Sequence, residues 1–420
     1  MDKQRNSTFQ FRINQHALNQ FKVVCEKNGV KPSEVLRIFM DQYSNNNESF
    51  SEEKIENEVL RKKVKKDIGF SIGEMYCGPG GIGIAAHKSE VRKGGKRYGF
   101  NHSWATDYHK ETCRTYAKNI FGDEDNPNVI WNDIRKMNIK DLPDVDGFLY
   151  GFPCNDFSNV GESRGLQGEY GPLYRYGVDY IDNSNPKFIF AENVSGLSNS
   201  NEGSAFKKII SELGGAGEYG YDLTTHLYKF EEYGVPQARH RIIIVGFRKD
   251  LRLRFDVPAP TKEKITSREA LSNPPIPDNC SNQELTKQSP KVVERLRHIR
   301  PGENAWTADL PEHLKLNVKG AKLSMIYKRL DPDKPSYTVT GSGGGGTHMY
   351  HWDEPRALTN RERARLQTFP DDFIFVGSKE SVRRQIGMAV PVKGAQIILE
   401  AILKTFAGIS YESIAPSYED

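Results

Sequence analysis

Short apolar runs and helical patterns alternate from about residue 68 to 248 at intervals that suit βα units, and no other feature constrains the fold as tightly. The runs Val129-Ile130-Trp131, Gly147-Phe148-Leu149-Tyr150, Phe188-Ile189-Phe190 and Ile242-Ile243-Ile244-Val245 lack a polar face, as strands covered on both sides of a sheet must. One helix is legible among them, Tyr108 to Asn119. The expected architecture is α/β, a doubly wound and mostly parallel sheet. A chain of 420 residues has room for a sizeable core and for two or three domains.

Residues that carry chemistry stand at the ends of these runs. Gly151-Phe152-Pro153-Cys154-Asn155-Asp156-Phe157-Ser158 follows one, Glu192-Asn193-Val194 closes the next, and Gln237-Ala238-Arg239-His240-Arg241 precedes the last. Each has a bland reading alone: a lone Cys is commonly a small buried hydrophobe, a strand-end Glu a surface residue, an Arg pair solvated. Together a thiol, a carboxylate and two guanidiniums suit addition to a pyrimidine. A thiolate attacks carbon 6 of cytosine only if charge developing on the ring is met at N3, a contact Glu192 supplies, while Arg239 and Arg241 hold O2 or nearby phosphates with forked donors. Carbon 5 then becomes nucleophilic towards a sulfonium methyl group, and loss of its proton with expulsion of the cysteine restores the ring. Because a free thiol titrates at about 8.5, Cys154 needs electropositive surroundings.

A second constellation suits a nucleotide-like cofactor. Gly78, Gly80 and Gly81 close a strand and open a helix through Ile82-Gly83-Ile84-Ala85-Ala86, where missing β-carbons let a ligand approach the backbone. Asp107 ends the next strand, the usual place of a ribose clamp in doubly wound sheets, and Asp133 follows the third strand.

These segments, in this order, resemble the C5-cytosine DNA methyltransferases. The resemblance rests on Glu74-Met75-Tyr76-Cys77-Gly78-Pro79-Gly80-Gly81-Ile82-Gly83, Trp104-Ala105-Thr106-Asp107, Asn132-Asp133-Ile134, the Pro-Cys turn, Gly171-Pro172-Leu173, the Glu-Asn-Val triplet and the Gln-Ala-Arg-His-Arg segment. It continues in Arg356-Ala357-Leu358-Thr359-Asn360-Arg361-Glu362, Arg365-Leu366-Gln367-Thr368-Phe369-Pro370 and Gln385-Ile386-Gly387-Met388-Ala389-Val390-Pro391. It covers most of residues 70 to 400, leaving out about 250 to 335. The resemblance implies the S-adenosylmethionine-dependent methyltransferase fold, S-adenosylmethionine as methyl donor, double-stranded DNA as substrate, a base swung out of the stack, and the modification half of a restriction-modification system. It implies catalytic roles for Cys154, Glu192, Arg239 and Arg241. It assigns the cofactor pocket to Tyr76, Cys77, Gly78, Pro79, Gly80, Gly81, Asp107, Asp133, Ile134, Pro153, Leu173, Met388 and Ala389, with Asp133 on the adenine. Phe152, Asn155 and Ser158 join the two arginines around the base. Departures are Met388 in place of an asparagine, Asn155 for glutamine, Tyr76 for phenylalanine and Glu74 for aspartate.

The remaining chain divides by composition. Leu251 to Pro335 is rich in Pro and basic residues, among them Lys291, Arg295, Arg297, Arg300, Lys322 and Arg329, and stands where the family has its variable target-recognition region. Ser342 to His348 is Gly-rich, either a close approach to DNA or a hinge. At the amino terminus Phe9, Phe11 and Ile13 alternate with Thr8, Gln10 and Arg12, and two helix patterns follow, the second starting at Pro32-Ser33-Glu34. Strand, helix and helix resemble the ribbon-helix-helix module, which implies a homodimer with Thr8, Gln10 and Arg12 facing bases; a packing extension is the alternative. The expected domains are 1–50 for this small strand-helix-helix module, 51–67 for a helical linker, 68–250 for catalysis and cofactor, 251–345 for target recognition, and 346–420 for a return to the catalytic domain, with its last helix, Ile397 to Phe406, against the sheet.

A formal charge of +4 makes DNA contact a matter of local patches. Five cysteines without a Cys-x-x-Cys pattern suggest a reducing compartment and no metal. No apolar run approaches the roughly 18 residues that span a membrane, and the expected location is cytoplasmic, on the nucleoid. A tRNA cytosine-5 methyltransferase would use the same Cys and Glu, a non-catalytic DNA-binding repressor would leave them idle, and a zinc deaminase needs ligands absent here.

Overall fold

The structure, a computed structural model, describes residues 68–152, 173–194, 204–261, 264–317 and 323–418, with 21–23, 25, 31–33, 35 and 36 near the amino terminus. It divides into two units, Met1–Lys65 and Lys66–Asp420. In the first, residues 21–23, 25, 32, 33, 35 and 36 are helical and Cys25 is buried. The expected strand with Thr8, Gln10 and Arg12, and the linker 51–67, lie outside the described residues.

The second unit opens with β1 (Ile68–Met75), α1 (Gly81–Lys88), a hairpin of β2 (Glu90–Lys93) and β3 (Lys96–Asp107), then α2 (Lys110–Ile120) and β4 (Val129–Trp131). There follow β5 (Gly147–Gly151), α3 (Tyr174–Ser184), β6 (Phe188–Val194), α4 (Ser204–Gly215), β7 (Tyr221–Lys229), β8 (Gln237–Ala238) and β9 (His240–Arg248). The sheet order is β2-β3-β1-β5-β6-β9-β7, with β4 on the far half of β3. Strands β1, β3, β4, β5 and β6 are parallel, while β9 runs against both β6 and β7. The chain winds outward from β1 through β3 to β4, then returns to lay β5 beside β1. That reversal opens a crevice at the carboxyl ends of β1 and β5, where ligands bind in such sheets.

Strand alternation explains why these sequences read as wholly apolar. Phe188 and Phe190 of β6 and Ile243, Val245 and Phe247 of β9 join one core layer with α1 and α9 residues. Their neighbours Ile189, Ala191, Ile242 and Ile244 join the opposite layer, against α3 and α4. Each strand is therefore buried on both faces. Helix α2 begins two residues later than the sequence suggests, because the Asp107 carboxylate accepts from His109 N at 3.0 Å and holds that turn out of the helix.

After β10 (Val257–Pro258) the chain forms α5 (Ser267–Ser272), α6 (Pro290–Arg297) and β11 (Ser336–Tyr337). Helix α7 (Asn360–Leu366) is followed by α8 (Lys379–Met388), α9 (Val392–Ala407) and β12 (Ser413–Ile414), which pairs with β10. A separate apolar cluster of Leu296, Ile299, Leu310, Leu314, Tyr327 and Tyr350 gives this region its own core. Thr359 caps α7 through a reciprocal box with Glu362, each side chain holding the other's backbone N–H (3.1 and 2.7 Å). Helix α9 is longer than the expected 397–406 run and packs on α1 and β2. Together α8 and α9 make one apolar stretch, Lys379–Ala407, long enough to cross a membrane by length and composition, which corrects the sequence count; 72% of its most apolar window is buried inside the protein.

Candidate active site

Strand pairing brings the expected catalytic segments to one edge of the sheet. Gly151, the last residue of β5, lies opposite Glu192 in β6, and a β-carbon on Gly151 would sit 3.2 Å from the Glu192 carboxylate. Asn193 points to the other face and donates from Nδ2 to the Phe152 carbonyl at 3.1 Å. Asn193 thus holds the strand end that leads towards Cys154, while Glu192 lies over Gly151 on the opposite face. Pro153, Cys154, Asn155 and Ser158 themselves lie outside the described residues.

Glu192 faces Ile243 across the antiparallel β6–β9 pair. Arg241, two residues earlier on β9, shares that face one diagonal step away, and its Nε meets Glu192 Oε1 at 2.7 Å. Both side chains are only 13–15% exposed, so the pair is a charge-assisted contact largely shielded from water. Arg239 departs from the expectation that the two guanidiniums act together. The ladder breaks between β8 and β9, and Arg239 is buried, donating to the carbonyls of Val339 and Gly387, both at 3.1 Å. It secures the carboxyl-terminal segments against the sheet; Arg241 alone reaches Glu192.

Two glutamines missed by the sequence reading complete that clamp. Gln237 donates to the Leu366 carbonyl and the Gln367 side chain (3.1 and 3.0 Å) and accepts from Val339 N at 2.8 Å. Gln367 donates to the carbonyls of Ile386 and Ala389 (2.7 and 3.3 Å). Gly387 is needed there because a β-carbon would fall 1.9 Å from Gly341 N. The signal was in the sequence as amides within apolar segments, since a buried amide must find partners.

The cofactor side gathers at the β1–β5 crevice. The Asp107 carboxylate accepts from Gly78 N at 3.1 Å and so ties the end of β3 to the glycine loop. Burial raises its pKa, opposed by the N–H donors of His109 and Gly78. Gly78 has φ +55° and open space where a β-carbon would stand, leaving room for a ligand at the backbone. Gly81 packs against the turn after α8: its β-carbon would lie 2.4 Å from the Val390 carbonyl and 3.3 Å from the Ala389 β-carbon. Met388 is 46% exposed, and the turn is held through backbone carbonyls by Arg239 and Gln367, so the expected asparagine is not required for its shape.

The Tyr76 hydroxyl donates to the Leu173 carbonyl at 2.8 Å, joining the two expected pocket walls. Asp133 caps the turn that carries the buried Ile134 and pairs with Arg135 at 2.7 Å, a hydrogen bond that holds its carboxyl below the usual range. Cys77 is buried and its thiol pKa pushed well up by desolvation, which suits packing rather than reaction. Behind the loop, Glu74 accepts from the Tyr116 hydroxyl at 2.9 Å, and burial pushes its carboxyl up to about 8. Glycine backbone, a buried acid and an aromatic wall form a donor set that fits S-adenosylmethionine. Among the described residues no group of three or more His, Cys, Asp or Glu is placed to hold a metal.

Comparison with known proteins bears on this geometry directly. The family model described as C-5 cytosine-specific DNA methylase matches residues 70–404. The type II methyltransferase M.BbvI of Brevibacillus brevis is 56% identical over 358 residues, covering 83% of this chain and 95% of that protein. M.NgoFVII of Neisseria gonorrhoeae, also a type II methyltransferase, is 41% identical over 351 residues, covering 81% and 88%. Among solved structures, a chain described as a prophage-encoded DNA modification methyltransferase of E. coli superposes with a TM-score of 0.61 at 23% identity, covering 80% of this chain and 99% of that one.

Proposed function

The chain belongs to the C-5 cytosine-specific DNA methylase family, and we propose that within it Cys154, Glu192 and Arg241 carry out the methyl transfer. It is a DNA (cytosine-5-)-methyltransferase with S-adenosylmethionine as cofactor and double-stranded DNA as substrate. Its likeness to type II methyltransferases makes it the modification enzyme of a restriction-modification system, and membership of the family disfavours the tRNA and repressor alternatives.

The observation that carries the residue assignment is the β5–β6 pairing: Gly151 beside Glu192, Phe152 held by Asn193, and Arg241 on the carboxylate. Cys154 follows Phe152 by two residues, so chain connectivity keeps its backbone within about 7 Å of Phe152. In the proposed sequence the Cys154 thiolate bonds to carbon 6 of the extruded cytosine, and Glu192 meets the electron density arriving at N3 by donating a proton there. Arg241 orients Glu192 and presents its remaining N–H groups to the base or its phosphate. Gly78, Gly80, Asp107, Tyr76 and Leu173 would hold S-adenosylmethionine, which when bound would supply an electrophilic methyl group for carbon 5 and leave as the neutral thioether. A base then takes the carbon 5 proton, the electron pair left behind expels Cys154 as thiolate, and the N3 proton returns to the Glu192 carboxylate, which restores the ring. Arg239 positions the 339 and 387 segments through their carbonyls.

The apolar cluster of Leu296, Ile299, Leu310, Leu314 and Tyr327 supports a target-recognition region within 251–345, and Tyr350, which joins it, extends that core past the expected boundary; the helical residues near Phe21 and Val35 fit a small amino-terminal helical module, for which we propose dimerisation. An enzyme acting on DNA is placed by its substrate in the cytoplasm, at the nucleoid.

A duplex carrying 5-fluorocytosine in the target tests the assignment, because fluorine cannot leave as the proton does. With S-adenosylmethionine present the wild-type protein forms a denaturation-resistant adduct, and Cys154→Ser forms none. A Cys154→Ser variant that still traps the duplex overturns the reading.

A further inference from the structure

A buried guanidinium in α7 has no hydrogen-bond partner among the described residues. Arg363 is 1% exposed, and its Nε, Nη1 and Nη2 all lack a hydrogen-bond partner. The other arginines of this helix are satisfied: Arg361 by Ser281 and the carbonyls of Pro370 and Phe373, Arg365 by Asp371. Burial, with Arg383 adding to it, pulls the Arg363 pKa down to about 10, while Tyr337, Tyr350 and Glu362 act the other way; the group remains a cation at neutral pH. Glu362 cannot balance it, because its oxygens accept from both terminal nitrogens of Arg356 and from Thr359 N. The hydroxyls of Tyr337 and Tyr350 are spent on the carbonyls of Lys328 and Gly345. A buried cation without a partner is strongly unfavourable, and among the described residues none hydrogen-bonds to it, which leaves its donors open to an anion from outside the chain.

What stands next to it says what that anion is. Arg383 on α8 is a second cation whose buried Nε is also without a partner. The Gly-rich segment lies directly on it: a β-carbon on Gly343 would be 2.6 Å from Arg383 Nε. Gly344 and Gly345, next along, have open space where side chains would be. His348 faces the same cluster, and burial together with Arg363, Arg383 and Lys379 drives its pKa down to about 4, against Glu380, so it adds no charge of its own. Two guanidiniums under a roof without side chains are built for a tetrahedral oxyanion, which forked donors grip in two places.

We propose that Arg363 and Arg383 form a phosphate site that receives one backbone phosphate of the bound duplex beneath the Gly343–Gly345 roof. The proposal rests on double-stranded DNA as the substrate. The roof lifts as the phosphate enters, and the glycines allow this because no side chain must be repacked. The contact is blind to sequence and fixes register, leaving base reading to other groups.

Duplex affinity of the full-length protein, measured over a salt series, reads this contact. Arg363→Met weakens binding to target and non-target duplex alike by about ten-fold and lowers the slope of log affinity against log salt by about 0.9. Arg383→Gln, on a half-buried residue, does the same and serves if Arg363→Met fails to fold, which melting and S-adenosylmethionine affinity reveal. Because both hold one phosphate, the double variant falls no further than the weaker single one. Neutral methylphosphonates placed one at a time along the duplex find one position that costs the wild type about ten-fold and costs Arg363→Met nothing. Unchanged salt slopes in both variants overturn the proposal. Stabilisation by inorganic phosphate with no methylphosphonate position answering to Arg363 also overturns it, by marking a free-anion site. Running the 5-fluorocytosine trap on the wild-type protein in parallel separates failure of this contact from failure of the catalytic assignment.

Discussion

At the scale of single residues, parity along a strand decides who meets whom. Glu192 and Arg241 meet because antiparallel pairing sets Glu192 against Ile243 and a step of two returns to the same face. Replacing Glu192 by Gln keeps the size and removes the proton donor, and kcat is expected to fall by about 10² to 10⁴ with duplex affinity little changed; single-turnover methyl transfer checks this. Glu74 offers a pH test. Its folded pKa is raised to about 8 from an ordinary 4.5, so between those values the folded chain keeps a proton that the unfolded chain gives up. Its contribution to stability is intact below that window and is lost as pH rises through it. Glu74→Gln mimics the neutral acid and keeps an acceptor for Tyr116, so above pH 8 it melts higher than the wild type by about 5 °C, while the two converge at acid pH. A constant gap across pH would refute that account. Glu192 was legible as a strand-end acid and Glu74 only as a departure within the glycine-loop motif; the divergence of Arg239 was not legible, because it follows from a break in the ladder between β8 and β9 that no local pattern announces.

At the scale of elements, the late motifs turn out to be joints. Gln237, Arg239, Gln367 and Gly387 bind the β8 corner, the segment at Val339 just after β11, the end of α7 and the α8–α9 turn into one buried network. Gln237→Ala strands at least three partners and is expected to cost ~1–3 kcal/mol in chemical denaturation. Gly387→Ala drives a β-carbon into the backbone at Gly341 and costs more, about 3 kcal/mol or beyond, with loss of S-adenosylmethionine affinity because the turn against Gly81 moves with it. The Thr359 cap was written in the sequence as Thr-x-x-Glu, and Thr359→Ala removes about 1 kcal/mol. The sequence marked these amides as needing partners but did not name them, since those of Gln237 lie about 100 residues and more away in the chain.

For the whole molecule, the division at Lys65 separates the amino-terminal stretch from the catalytic unit, and the family match begins at residue 70. M.BbvI matches this chain over 95% of its own length with 83% of ours, so the catalytic unit is the part the two share. Removing residues 1–65 is therefore expected to leave methyl transfer within about two-fold, a change of under 1 kcal/mol in the barrier. If the proposed dimerisation module is present, sedimentation shifts from dimer to monomer in the same deletion. A deletion that abolishes methyl transfer while leaving the fold intact would assign the stretch a catalytic part instead.

The sequence by itself determined the strands, their order of chemistry and the family, because buried strands must be apolar and glycine loops and strand-end acids follow local backbone rules. It also put Cys154 forward as the reactive thiol, which the 5-fluorocytosine trap tests. Only the tertiary structure decided that Arg241 pairs with Glu192 while Arg239 holds the carbonyls of Val339 and Gly387, that amides lock the late motifs together, and that Arg363 is enclosed with no hydrogen-bond partner among the described residues. Those outcomes depend on contacts between residues remote in the chain, and on desolvation, which exists only once the layers have closed.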